Sequence, residues 1–194
     1  MMTVNTDGWH KQPIHTQYDI DFLRRMSMGL IPNKHPSLRQ RLNVCSEDLN
    51  RQQLKDDLIF CMEKNNGVGL SANQVGISER AFVMYSDVKE KEIIACFNPF
   101  ITEYSKETIK MDEGCLTWPG VWLLVERPEG IVCSFEDETG EHVQCTMHGL
   151  EARIFQHEYD HMEGTNFTRR VSRLKLDMAQ KRATKVRKRA SRIA

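Results

Sequence analysis

The sequence predicts an α+β fold, with antiparallel β-strands packed around a central helix, an N-terminal helix and a basic C-terminal helix. Apolar residues recur at helical spacing in two places, and several short apolar runs bounded by turn residues lie between them. This order of helix, strands and helix is typical of α+β proteins and not of alternating βαβ units. A length of 194 residues, 40% of them hydrophobic, suits one domain with some additional chain.

The N-terminal helix is predicted to begin at Ser46, a suitable N-cap that is followed by two acidic residues. The sequence Asn65-Asn66-Gly67 ends this helix. Residues 1–30 show no period and are predicted to form an N-terminal extension. The apolar stripe of the helix consists of Leu49, Leu54, Leu58, Cys61 and Met62.

The strands are predicted from short runs rich in β-branched, aromatic or aliphatic residues, with turn residues between the runs. Residues 131–147 are typical of a hairpin that turns at Thr139-Gly140. The other predicted strands are AFVMY (81–85), IIACF (93–97), ETIKM (107–111) and VWLLV (121–125).

The central helix is predicted over residues 150–162, and Gly164 marks its end. Residues 168–194 hold 11 Lys and Arg and one acidic residue, and their apolar spacing predicts another helix. The preceding residues hold 16 basic and 26 acidic residues, so an acidic body carries a basic tail. We therefore divide the chain into an extension (1–30), a catalytic domain (31–167) and a basic tail (168–194).

The segment His157-Glu158-Tyr159-Asp160-His161 is an H-E-x-x-H motif. On a helix, residues i and i+4 share one face, so both imidazoles can bind one metal ion. Glu158 follows the first of these ligands and can act as a general base toward a water at the ion. The alternative is a solvated helix with ordinary histidines, and the rarity of the motif by chance argues against it.

Two histidines require a third protein ligand. One protease class continues the motif as H-x-x-G-x-x-H, but here Gly164 is followed by Phe167, which binds no metal. The third ligand is therefore expected upstream, and Cys115 is the best candidate, because it lies in a glycine-containing turn between strands. For a single cysteine the alternative is a small buried hydrophobic residue.

Residues 67–74, GVGLSANQ, form a third candidate segment. Its small residues let the backbone approach a ligand, and Gln74 offers an amide donor for a developing oxyanion. A helix C-cap followed by a loop is the alternative. A phosphate-binding loop is disfavoured because the Lys-Ser/Thr ending is missing.

Together, and in this order, the three segments resemble the peptide deformylase family, whose motifs are G-x-G-[LIV]-[AS]-A-x-Q, E-G-C-[LV]-[ST] and H-E-x-D-H. The resemblance runs from about residue 31 to 176 and includes ERPEGI (126–131) and GLEARIFQ (149–156). It implies the α+β fold of that family. It also implies hydrolysis of the N-formyl group of formyl-methionine at the start of nascent polypeptides, with release of formate.

The resemblance also implies roles for individual residues. Cys115, His157 and His161 bind the metal, which in the family is typically Fe(II), with Ni(II), Co(II) and Zn(II) as alternatives. Glu158 is the general acid and base. Gln74 and the backbone N–H of Leu116 form the oxyanion hole.

Four further residues are candidates for supporting the site. Gly69 is expected to pair its backbone with the substrate, and Ile154 to form a wall of the methionine pocket, where packing in the core is the alternative. Glu113 and Asp160 are expected to orient the metal ligands, where ordinary surface charge is the alternative.

Three positions depart from the usual family pattern. Ser71 stands where Ala is common and Thr117 where Ser is common, and both replacements are small. Trp118 stands where a smaller aliphatic residue is usual, which alters the expected shape of the substrate groove.

The basic tail, 168–194, has two interpretations. It suits an RNA backbone, and the resemblance implies docking on the ribosome from which the substrate emerges. Alternatively it is a solvated helix whose apolar stripe packs on the body. Two rival functions follow from the motifs: an H-E-x-x-H peptidase, and a non-catalytic ribosome-binding protein that retained a deformylase body.

No membrane partner is expected, because the longest apolar run, residues 121–125, is too short to span a bilayer. The N-terminal residues lack the pattern of a signal or transit peptide, which predicts a cytoplasmic protein. Nothing in the sequence resembles a heptad seam, so a monomer is expected.

Overall fold

The computed structural model describes residues 28–192, and within this range the chain forms three α-helices and seven β-strands. The predicted extension, 1–30, lies outside the described residues except for its last three. The helices are α1 (Arg51–Lys64), α2 (Gly149–Met162) and α3 (Arg173–Ala190). The strands are β1 (Gly69–Ser71), β2 (Ala81–Asp87), β3 (Glu92–Tyr104), β4 (Thr108–Gly114), β5 (Trp122–Pro128), β6 (Gly130–Glu136) and β7 (His142–His148).

All strand pairs are antiparallel, and they form a five-stranded sheet and a separate two-stranded sheet. The larger sheet has the order β1-β2-β3-β6-β7, and the smaller one joins β4 to β5. Helix α2 packs against β1, β2, β6 and β7, and α1 packs against β1 and β2. The predicted α+β class with antiparallel strands is confirmed.

A helix covers each face of the large sheet. Alternate residues of a strand point to opposite faces, so each strand contributes to both cores. In β2, Phe82 and Met84 join the core beneath α2, while Ala81 and Val83 join the core beneath α1. The rings of Phe82 and Phe155 meet edge to face at a centroid distance of 5.1 Å. Helix α2, which carries the H-E-x-x-H segment, is therefore held by buried aromatic packing against the sheet.

The predicted start of the first helix at Ser46 is wrong. Asn50 is the N-cap, and its side-chain oxygen accepts a hydrogen bond of 2.9 Å from the backbone N–H of Gln53. Ser46 instead donates through its hydroxyl to Glu79, over 2.7 Å. The cap is set by the residue whose φ and ψ fit the helix entry, and a second candidate four residues away is equally good by residue type.

Two strand features were also missed. The short strand β1 lies within the GVGLSANQ segment, for which the alternative had been a loop. Strand β3 continues past the predicted run to Tyr104, through an irregularity at Asn98, whose φ is 50°. Pro99 follows directly, and the dipeptide Asn-Pro is a turn signal in a sequence. In the structure the strand nevertheless continues beyond it.

The basic tail is helical as predicted. The N-cap of α3 is Ser172, and Ala179 and Ala183 are buried against Val121 of the loop before β5. A Cβ placed on Gly120 would lie 3.6 Å from Cβ of Ala183, so the helix sits directly on this loop. Within residues 28–192, no helix combines the length and apolar character needed to traverse a bilayer.

Candidate active site

Three side chains with metal-binding atoms converge between α2 and the loop after β4. Cys115 lies in that loop, and His157 and His161 lie one turn apart on α2. One ligand atom from each lies within 4.8 Å of the others. Sγ of Cys115 is 3.4 Å from Nε2 of His161. Tetrahedral coordination with ordinary metal–sulfur and metal–nitrogen distances requires a separation of about 3.5 Å, so the arrangement fits one divalent ion.

A hydrogen bond at Nδ1 fixes the orientation of the His157 imidazole. Its Nδ1 makes a hydrogen bond of 3.0 Å with Oε2 of Glu113, which leaves Nε2 for the metal. The ring of Phe167 packs beside the imidazole at a centroid distance of 5.6 Å. The predicted role of Glu113 in orienting a ligand therefore has a geometric basis, and the side chain at position 167 supports the site by packing.

Glu113 is also the centre of a buried cluster of charges. Its carboxylate accepts hydrogen bonds from Arg127, at 2.6 and 2.9 Å, and from Arg153, at 2.8 Å. Burial raises the pKa of Glu113, but the hydrogen bonds from Arg127 and His157 outweigh it, so the pKa lies well below its usual value. A permanently ionised Glu113 is the acceptor that a metal-ligating histidine needs.

Asp160 does not contact a ligand imidazole. Its carboxylate accepts a hydrogen bond of 2.9 Å from Nη1 of Arg127 and pairs with Arg170. Burial raises the pKa of Asp160, but the hydrogen bond from Arg170 and the charges of Arg127 and Arg170 outweigh it. The pKa therefore lies below its usual value, and Asp160 is held ionised. Asp160 therefore anchors Arg127, and it acts on the metal ligands only through Arg127 and Glu113.

The sulfur of Cys115 is surrounded by donors. Besides His161, Nε2 of Gln74 donates to it over 3.4 Å, and Oγ1 of Thr117 lies 3.2 Å away. Burial raises the pKa of the thiol, but the charges and hydrogen bonds of His161 and His157 outweigh it, and the pKa lies well below the usual value. The thiolate is the form that binds metal.

Glu158 lies beside these ligands with one carboxylate oxygen unused. It is buried, and Oε2 has no hydrogen-bond partner among residues 28–192. Burial raises its pKa to about 7, against the opposing charges of His157 and His161. A carboxyl group with this pKa is suited to take up and release a proton near neutral pH.

Gln74 presents its amide in one orientation. Oε1 accepts hydrogen bonds from the backbone N–H and the hydroxyl of Ser71, at 3.0 and 2.8 Å. This leaves the NH₂ group on the side of Cys115. Leu116, whose N–H is the second predicted oxyanion donor, follows Cys115 directly, and its side chain packs over Gly67.

A cavity of about 790 Å³ opens onto these groups. Gly69, Leu116 and Ile154 line it, as do Gln74 and Glu158. Trp118, one of the three departures from the usual family pattern, lines it as well. Apart from Asp160, the structure thus brings the predicted site residues to one cavity or to the candidate metal ligands beside it.

Comparisons with known proteins agree with this geometry. The family described as polypeptide deformylase matches residues 29–177. The chain belongs to the polypeptide deformylase family. A peptide deformylase from Thermotoga petrophila is 38% identical over 148 residues, covering 76% of this chain and 88% of that protein. Peptide deformylase 1B, chloroplastic/mitochondrial, from Arabidopsis thaliana is 37% identical over 164 residues, covering 82% of this chain and 59% of that protein.

Solved deformylase structures share the fold. The Synechococcus elongatus peptide deformylase in complex with actinonin superimposes with a TM-score of 0.76 at 34% identity, covering 80% of this chain and 87% of that chain. The peptide deformylase from Legionella pneumophila gives a TM-score of 0.76 at 32% identity, covering 85% and 98%. Peptide deformylase 1B, chloroplastic, from Oryza sativa subsp. japonica and the Arabidopsis relative are longer, and the chain spans 59% of the length of each.

Sequence reasoning did not single out the three arginines around Glu113 and Asp160. Arg127 and Arg153 lie inside ERPEGI and GLEARIFQ, segments that carry the deformylase resemblance, and this was the available signal. Arg170 lies in the first residues of the basic tail, where it looks like one more surface charge.

Proposed function

We propose that this chain is a metal-dependent hydrolase that removes the N-formyl group from the N-terminal formyl-methionine of nascent polypeptides and releases formate. The observation that carries the proposal is the convergence of the Cys115, His157 and His161 ligand atoms, within 4.8 Å of one another, beside Glu158 in one cavity. Membership of the deformylase family supports the choice of reaction.

The residues present fit one divalent transition metal. A thiolate and two imidazoles are ligands that Fe(II), Ni(II), Co(II) and Zn(II) accept, and three protein ligands leave a further position open. When bound, such an ion supplies Lewis acidity and lowers the pKa of a water molecule. We propose Fe(II) as the native metal. The thiolate then makes the site sensitive to oxygen.

Glu158 performs the proton transfers in this proposal. Its buried Oε2 accepts a proton from the attacking water, because no residue described in the structure already occupies that oxygen. After attack on the formyl carbon, Glu158 returns the proton to the nitrogen of the leaving amine. The formyl carbon leaves as formate, and methionine keeps a free α-amino group.

Gln74 and Leu116 stabilise the charge that develops on the formyl oxygen. The amide of Gln74 is fixed by two hydrogen bonds from Ser71, so its NH₂ group needs no reorganisation during the reaction. The backbone N–H of Leu116 is the second donor. For the substrate, we propose that the backbone of Gly69 pairs with the peptide and that Ile154 forms a wall of the methionine pocket.

The test is formate release from formyl-Met-Ala-Ser, using protein prepared without oxygen and loaded with Fe(II) or Ni(II). We expect turnover that falls by a factor of about 10² to 10⁴ in Glu158→Ala, the usual contribution of a positioned base. Metal content, measured by mass spectrometry, should stay at one ion per chain in the variant. No formate from folded, metal-loaded wild-type protein would overturn the proposal.

We also propose that the tail, 168–194, docks the protein on the ribosome through RNA phosphates. Its exposed lysines and arginines support this, together with the apolar contacts that hold α3 in place. A cytoplasmic location and a monomeric state remain predictions, which cell fractionation and light scattering would check.

A further inference from the structure

Three exposed apolar side chains lie at the mouth of the cavity. Val68, Trp122 and Leu150 all line the cavity, and their exposed fractions are 45%, 66% and 52%. A large aromatic side chain that stays two-thirds exposed at the entrance of a binding cavity has surface available for a ligand.

Trp122, the first residue of β5, packs against β4, the strand that leads to Cys115. In the β4–β5 pair, Trp122 stands opposite Gly114. A Cβ placed on Gly114 would lie only 3.2 Å from the Trp122 ring, so the indole rests on the bare backbone of the glycine. The Gly114 backbone thus covers part of the indole ring, and the remainder of the ring is exposed at the mouth of the cavity.

Asp112 lies on the same outer face of this two-stranded sheet. It pairs with Leu124, two residues from Trp122, which makes it the diagonal neighbour of the indole. Diagonal positions are about 7–8 Å apart, within the span of one long side chain. Asp112 is exposed, and within residues 28–192 its carboxylate forms no ion pair.

Asp112 also differs from the other charged groups around the cavity. Glu113 and Arg153 are buried and bound to each other, and Glu158 and His157 belong to the reaction site. The free charge at the rim is therefore negative. It is set beside an aromatic ring, the two features that attract a side-chain cation.

We propose that Trp122 and Asp112 form a subsite for a lysine or arginine side chain in one of the two residues that follow the formyl-methionine. The inference rests on the proposed function and extends it to substrate preference. The ammonium or guanidinium pairs with Asp112, and its aliphatic stem lies along the indole. Two residues of an extended peptide span about 7 Å, which suits a subsite beside the glycine that precedes Cys115.

The experiment compares peptides that differ in one side chain. Formate release is measured for formyl-Met-X-Ser and formyl-Met-Ala-X, with X as lysine, norleucine or alanine, in the metal-loaded protein. Norleucine keeps a stem similar to that of lysine and removes the charge. We expect kcat/KM for lysine to exceed that for norleucine about two- to fivefold at one of the two positions, mostly through KM.

The variants separate the two parts of the subsite. Asp112→Asn should bring the lysine-to-norleucine ratio close to one, and high salt should do the same in the wild type. Trp122→Ala should reduce the advantage of both long side chains over alanine, and Trp122→Phe should keep part of it. Leu124→Ala is the control, because Leu124 is exposed on the same face but does not line the cavity.

Binding of the products Met-Lys-Ser and Met-Ala-Lys, measured by calorimetry, gives a readout that does not depend on turnover. A lysine-to-norleucine ratio of one at both positions, or a ratio unchanged by Asp112→Asn, would overturn the subsite while formate release still supported the proposed function. Absence of formate from every peptide would instead overturn the proposed function.

Discussion

The carboxylate of Glu158 occupies the space that a side chain at residue 69 would fill. A Cβ built on Gly69 would lie 2.6 Å from Oε1 of Glu158 and 3.0 Å from its Cδ. Because Glu158 is buried, the carboxylate has little room to retreat. The absence of a side chain at Gly69 therefore leaves room for Glu158, the proposed general base, in addition to the proposed pairing of Gly69 with the substrate.

Gly69→Ala should accordingly lower kcat by roughly 10- to 100-fold, since a displacement near 1 Å at a catalytic group has effects of this size. Metal content should remain unchanged, because none of the three metal ligands is touched. Steady-state kinetics with formyl-Met-Ala-Ser measures the loss.

Gly29→Ala provides the control for this substitution, because nothing lies within 4 Å of a Cβ at that position. Equal kcat values for the two variants and the wild type would show that the contact with Glu158 does not position the base.

At the level of single residues, the sequence predicted that the candidate metal ligands and the candidate base would lie together, and the structure places them side by side. His157, Glu158 and His161 form a local pattern on one helix, and local patterns are visible in a sequence. The arginine partners of Glu113 and Asp160 were not predicted, because Arg127, Arg153 and Arg170 come from three parts of the chain that meet only after folding. An isolated arginine in a sequence is by default a surface charge.

Among the elements, Arg127 joins β5 to α2. Its guanidinium donates to Glu113 and to Asp160, and also to the backbone carbonyl of Gln156 at 3.3 Å. Its side chain is completely buried. Breaking a buried pair leaves uncompensated charge behind, and here two carboxylates would be left with fewer partners.

We therefore expect Arg127→Met to lower the free energy of unfolding by about 3–5 kcal/mol, measured by urea denaturation. The m-value should stay near that of the wild type if only stability changes. An effect below about 1 kcal/mol would show that Arg153 and Arg170 suffice to hold both carboxylates.

Lys110→Ala is the matched control from the neighbouring strand. Lys110 pairs with Glu126 over 3.7 Å, but both side chains are more than half exposed. An exposed pair of this kind contributes at most about 1 kcal/mol, so the stability of this variant should stay close to that of the wild type.

Most helices and strands could be predicted from the sequence, but the residues at which they begin and end could not. The run at 81–85 falls within β2, the run at 121–125 falls within β5 except for its first residue, and the hairpin at 131–147 corresponds to β6, β7 and the turn between them. Ser46 and Asn50 are both good N-caps by type, but in the structure Ser46 is bound to Glu79 while Asn50 caps the helix. A contact between residues 33 positions apart is invisible to local spacing.

On the scale of the whole molecule, the basic tail is part of the folded body. Ala179 and Ala183 of α3 are buried against β5 and the loop before it, while Lys181, Lys185 and Lys188 are exposed. The apolar packing expected under the simpler interpretation is present, and it leaves the opposite face of the helix available to a polyanion.

Replacing Lys181, Lys185 and Lys188 by Gln should weaken binding to ribosomes without changing formate release from a free peptide. The slope of log K against log salt should become shallower by about one for each lysine that contacts a phosphate. Sedimentation with ribosomes over a range of salt concentrations measures this. An unchanged slope would contradict docking through this face.

A truncation after Phe167 should abolish the salt-dependent binding. It also removes the two alanines that cover Val121, so its unfolding must be measured in parallel. The triple Gln variant avoids this complication, because all three positions are exposed.

The proposed metal ligands lie far apart along the chain, and this separation affects stability. An ion that joins Cys115 to His157 closes a loop of about 40 residues containing β5, β6 and β7. A covalent cross-link of that span restricts the unfolded chain by roughly 4 kcal/mol in the loop-entropy model. The ion would thus act as a reversible cross-link. A chain that lost it through oxidation would lose the proposed activity and part of its resistance to proteolysis together.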